Sequence, residues 1–87
     1  MKSQLNHPTA YFYYGKKFVG ASIASTTPQD AFKQNMEYTK SLDLGCLPYL
    51  RHCTHVEIVW HEQDKAVILE RDDPNWEQPV SSLLPSC

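Results

Sequence analysis

Apolar residues along this chain recur with two different periods. From Thr54 to His61 they alternate, as in a half-buried strand: Val56, Ile58 and Trp60 fall on one side, His55, Glu57, Val59 and His61 on the other. The polar run Glu62-Gln63-Asp64-Lys65 suits a turn, and Ala66-Val67-Ile68-Leu69-Glu70-Arg71 reads as the returning strand of a hairpin. An earlier hairpin is built the same way. Thr9-Ala10-Tyr11-Phe12-Tyr13-Tyr14 is dense in aromatic strand formers, Gly15-Lys16 suits a tight turn, and Lys17 to Ser25 returns. On this strand strict alternation puts Val19, Ala21 and Ile23 on one face and Gly20, Ser22 and Ala24 on the other. Small residues here would let another element lie close.

Between the hairpins the period lengthens to that of a helix. At about 100° per residue, Ala31, Phe32, Asn35, Met36, Tyr38, Thr39 and Leu42 share one broad face, and Lys33, Gln34, Glu37, Lys40 and Ser41 the other. Thr27 is placed to cap the first turn, and Pro28 suits the first helical position because no amide donor is needed there. Asp30 puts negative charge at the positive helix end. Gly45 supplies a left-handed stop, and Pro48 opposes continuation, so 45–52 reads as a loop. The pattern predicts an α+β domain of ββαββ order: a four-stranded antiparallel sheet with one helix packed on one face. Residues 1–8 read as a polar arm, 9–71 as the single domain, and 72–87 as an irregular tail with Trp76 and Leu83-Leu84 to pin it. One helix cannot cover such a sheet on both sides. The far face should carry tyrosines of the first hairpin together with His55, Glu57, Val59 and His61.

With 87 residues and 41% hydrophobic content the chain suffices for one core, which argues against disorder. A net charge of −2 names no polyanionic partner, but its distribution is uneven. Residues 1–55 set six Lys and Arg against three acids (+3), whereas 56–87 set two against seven (−5). An acidic surface on the second half follows. The N-terminus lacks the apolar run of a secretory signal, and no stretch reaches the roughly 20 apolar residues of a membrane span. Three cysteines, an odd number, do not suggest a disulfide framework, so the expected compartment is the cytoplasm, or a host cytoplasm.

Three constellations bear on chemistry. Cys46, His52, Cys53, His55 and His61 include thiolates and imidazoles, which suit zinc. Their spacing matches no zinc knuckle, and six strand residues separate His55 from His61 by roughly 20 Å. Only Cys46, Cys53 and His55 form a partial set, so no metal and no cofactor is expected. Cys53 with His52 or His55 as base would be a thiol nucleophile, but no Gly-rich turn stands near to stabilise an oxyanion. The aromatic run Tyr11 to Phe18, with Lys16 and Lys17, resembles surfaces that stack bases of single strands. The carboxylates Glu62, Asp64, Glu70, Asp72 and Asp73 lie at turns and strand ends and read as a solvated face.

No phosphate loop, nucleophile elbow or dinucleotide fingerprint is present. The expected function is therefore non-catalytic: a small inhibitor or adaptor that binds a larger protein, with a basic nucleic-acid groove as a fitting target for an acidic surface. Small phage and mobile-element proteins, anti-CRISPR proteins among them, are of this type. Glu62, Asp64, Asp72 and Asp73 are the expected acidic contacts, with Tyr11, Tyr13 and Trp76 as aromatic anchors. The alternatives are a single-strand nucleic-acid-binding module on the first hairpin and a small zinc-binding domain.

Overall fold

A computed structural model describes residues 7–42 and 47–83. Four strands, Thr9–Tyr14 (β1), Lys17–Ile23 (β2), His55–Trp60 (β3) and Lys65–Glu70 (β4), form one sheet in the order β2-β1-β3-β4. Every neighbouring pair is antiparallel. The helix Pro28–Ser41 (α1) crosses from β2 to β3, and the short helix Leu47–Arg51 (α2) lies beside it. The chain is an α+β domain of ββαββ order, as the periodicity predicts.

The local signals act as expected. Gly15, at φ 62°, takes the first central position of the two-residue turn between β1 and β2, where a left-handed backbone is required. The Thr27 hydroxyl accepts from the Asp30 amide at 3.0 Å, and the Thr26 hydroxyl donates to the Asp30 carboxylate at 2.9 Å. The β3–β4 turn closes through Asp64 at φ 54°, a conformation Asp tolerates better than most residues.

The core lies between the sheet and one covering layer. Ala10, Phe12, Val56, Ile58, Trp60 and Leu69 come from the strands; Ala31, Phe32 and Leu50 come from the helices. The covering layer is completed by the segment after β4, read from sequence as an irregular tail. It folds into two 3-10 turns, Pro74–Glu77 and Val80–Leu83. Trp76 is 3% exposed and packs against Phe12 and Phe32, with ring centroids at 6.2 and 5.8 Å. Its Nε1 donates to the Glu70 carbonyl at 2.6 Å. Leu83 packs on the core, as expected of a pin, and the Val80 amide donates to the Thr26 carbonyl at 2.8 Å.

Four expectations need correction. Residues 47–51 are helical because Pro48 sits in the first turn, where it breaks no hydrogen bond, while Leu50 turns fully inward. Tyr38 and Leu42 are 62% and 48% exposed, so the buried face of α1 narrows to Ala31, Phe32, Asn35 and Thr39, with Met36 at its margin. On β2 a bulge intervenes: Phe12 pairs with Gly20 but Tyr13 with Phe18, leaving Val19 as the extra residue. One extra residue inverts the parity beyond it, so Val19 is buried while Ala21 and Ile23 face solvent. Finally, the arm is already docked at Pro8, which is buried and accepts from the Ala24 amide at 2.8 Å. The stop assigned to Gly45, the contact of Leu84, and Cys46 lie outside the described residues.

Candidate docking face

The side of the sheet away from α1 has no layer over it among the described residues, and its composition follows from register. Three rows cross all four strands in the order β2, β1, β3, β4. The first is Phe18, Tyr13, His55, Glu70; the second is Ala21, Tyr11, Glu57, Ile68; the third is Ile23, Thr9, Val59, Ala66. Most of these side chains are apolar or aromatic, and Phe18, Ile23 and Ile68 are 54%, 56% and 59% exposed. Four strands about 4.8 Å apart and six residues at about 3.4 Å each give a patch roughly 20 Å on a side. A patch of that size, about 400 Å², lies within the range of the largest patch on a typical monomer, and such patches are often functional.

The rings on this face brace one another. Tyr13 stacks on His55 with centroids 5.2 Å apart and planes at 7°, and Phe18 meets Tyr13 edge-on at 5.8 Å. The Tyr11 hydroxyl and His61 Nε2 are hydrogen-bonded at 3.1 Å. The Thr54 hydroxyl lies 3.0 Å from His55 Nδ1 and also accepts from the Gly15 amide at 2.9 Å. These contacts hold the aromatic end of the face to the first hairpin turn. On the covered side, Tyr49 of α2 packs edge-on against Tyr14 at 5.3 Å, with the Lys17 ammonium 5.2 Å from its centroid.

Several candidate residues prove to have internal roles. Trp76 is in the core and offers no ring to a partner. Of its two sequence readings, a pin for the tail and an anchor for a partner, its burial against Phe12 and Phe32 agrees with the first. Asp73 caps the Pro74–Glu77 turn, accepting from the Asn75 amide at 2.9 Å. Glu62 and Asp64 are exposed on the β3–β4 turn, and Asp72 is exposed beyond the opposite end of β4. They flank the edge of the sheet instead of converging. Tyr11 and Tyr13 do lie on the open face, half-buried. Ile23 and Ile68 are exposed apolar face residues that the sequence reading does not place there, whereas Phe18 belongs to the aromatic run it singles out. Ile68 was legible, because it is one residue from Leu69 and must point the other way.

Cys53 and His55 are not brought together. His55 lies on the open face, whereas Cys53 is 2% exposed on the covered side. Among the described residues no group of three His, Cys, Asp or Glu converges for a metal. Burial pushes the Cys53 thiol above its ordinary value, and the neighbouring Arg71 guanidinium opposes this without cancelling it. That environment suits a packed thiol, not an activated nucleophile. Arg71 itself spans the core edge, with its guanidinium 4.4 Å from the Phe32 ring centroid and donating to the Arg51 carbonyl at 3.0 Å.

One cleft of about 520 Å³ opens at the end of the sheet, between Pro8, Thr26, Trp60, Gln63 and Val80. Its lining includes a single titratable side chain, His7. No described helix is long and apolar enough to cross a membrane. The fold and face together define a class: an α+β domain with one covered and one open sheet surface. Comparison with protein-family models, curated proteins and solved structures finds no match.

Proposed function

We propose that this chain is a non-catalytic protein-binding domain, an inhibitor or adaptor in kind, whose docking surface is the open sheet face. The observation that carries this reading is the set of Tyr11, Tyr13, Phe18, Ile23 and Ile68 on one face, grouped on β1 and β2 except for Ile68 beyond Glu57, with three of them more than half exposed. Leaving such a patch in water costs about 25 cal/mol per Å² of apolar area relative to covering it. The same face with aromatics would also suit stacked bases, but Glu57 stands at its centre and Glu70 at its edge. Carboxylates there repel phosphates, which favours a protein partner. A basic groove on a larger partner would in addition be steered by Glu62, Asp64 and Asp72 along the sheet edge.

The test is retention of proteins from host extract by three immobilised chains: the parent, Phe18→Asp with Ile68→Asp, and Glu62→Lys with Asp64→Lys. A partner should be lost with the face variant. With the turn variant it should be retained but associate more slowly, with a weaker salt dependence. A partner held equally by the face variant and the parent would refute the reading. Salt-sensitive binding of single strands by the parent would replace it with the nucleic-acid one.

A further inference from the structure

We infer that the open face is the seat of a second copy of this chain, in a two-fold, sheet-on-sheet dimer whose axis runs parallel to the strands between β1 and β3. The inference rests on the docking reading above: in the free chain the face is covered by a second copy, which a larger partner must displace. A two-fold dimer sets the same patch against itself, so each residue must suit the one its symmetry mate presents. This axis keeps each row opposite its own row and exchanges β1 with β3 and β2 with β4.

The register then fixes the pairs across the interface. Ala21 meets Ile68, Ile23 meets Ala66, and Thr9 meets Val59, so in two of the three edge pairs a small side chain faces a large one. Tyr13 meets His55, bringing two stacked Tyr–His pairs together. Tyr11 meets Glu57. This last pair separates a second copy from a generic apolar partner. Covering Glu57 without a donor would leave a carboxylate desolvated and unpaired. A tyrosine hydroxyl donates one hydrogen bond and accepts others, so Tyr11 can accept from His61 and still donate to the opposing Glu57. Phe18 opposite Glu70 falls at the edge, where a polar rim is usual.

An axis perpendicular to the strands fails on the same grounds, since it places Glu57 against Glu57. Two stacked sheets about 10 Å apart, with their mean strand directions aligned, accommodate the pairing. A face about 20 Å on a side, covered from both sides, buries roughly 800 Å², below the range of stable specific interfaces and within that of weak ones. A weak dimer is therefore expected, and the acidic edge of each copy stays outside it.

The experiment is sedimentation equilibrium at loadings from about 1 to about 500 µM, a range that brackets the affinity of so small an interface. The parent should move toward twice the 10.0 kDa chain mass as concentration rises. Ile68→Glu should stay at the chain mass throughout, with an unchanged circular dichroism spectrum. The decisive variants are Ala21→Ile, Ile68→Ala and the two combined. Ala21 and Ile68 lie on opposite edges of one sheet, so they touch only across the proposed interface. Each single change should weaken the dimer about tenfold, and the combination should restore most of the loss. Single effects that simply add would overturn the two-fold arrangement, and so would a dimer indifferent to Ile68→Glu. A parent that stays at the chain mass at every loading overturns the second copy as occupant. The docking reading fails separately, when the face variant retains the same partner as the parent.

Discussion

Gly20→Ala tests how α1 is seated on the sheet. A Cβ at Gly20 would run into Asn35 Oδ1, with Asn35 Cγ at 3.2 Å and Leu50 Cδ1 at 3.5 Å. Asn35 is 5% exposed, and its Nδ2 donates to the Ala21 carbonyl at 2.7 Å. It therefore cannot swing aside without losing that bond. Overpacking of this kind costs about 1–3 kcal/mol, and the lost hydrogen bond about 1 kcal/mol more. The expected destabilisation is about 2–4 kcal/mol, or a Tm drop of about 10–20 °C in a domain this small. Asn35→Ala alone should cost about 1 kcal/mol, because it also removes the buried Oδ1, which has no hydrogen-bond partner. It also vacates the space that the new Cβ needs. The double variant should thus lie close to Asn35→Ala, with a coupling of about 1–3 kcal/mol. Urea unfolding followed by tryptophan fluorescence reads this directly, since Trp60 and Trp76 are 4% and 3% exposed. A Gly20→Ala chain with the parent's midpoint, or a cycle that adds, would refute the close approach.

Other consequences of the packing can be checked with the same assay. Phe32→Ala removes a ring that contacts Phe12, Trp76 and the Arg71 guanidinium, and should cost about 3–5 kcal/mol in urea unfolding. Thr27→Ala deletes the cap that accepts from the Asp30 amide and should cost about 1 kcal/mol, whereas Thr27→Ser should retain most of it. The Cys53 thiol is raised by burial, so the unfolded chain releases this proton at lower pH than the folded one. Its contribution to stability is complete below the ordinary thiol value and falls away as pH rises above about 8.5. Cys53→Ala should flatten that alkaline loss, and a variant that loses stability as steeply as the parent would show that Cys53 does not cause it.

Local chemistry was enough to place α1 and the four strands. Thr27, Pro28 and Asp30 act on backbone groups within one turn, Gly15 acts on its own φ angle, and the alternation of Val56, Ile58 and Trp60 needs no distant partner to be read. The open face was partly legible for the same reason, since Tyr11, Tyr13, His55 and Glu57 follow from parity alone. Three features depend on contacts between residues far apart in the chain. The bulge at Val19 depends on how β2 pairs with β1, and it decides that Ala21 and Ile23 join the open face. Trp76 depends on space left beside Phe12 and Phe32, so a ring read both as a pin for the tail and as an anchor for a partner became part of the core. The closeness of α1 to β2 depends on Asn35 finding the Ala21 carbonyl over a glycine 15 residues earlier. Periodicity records what each element needs from water and from a core. It does not record which neighbour supplies the cover, because that is settled by the summed packing of elements that meet only in the folded chain.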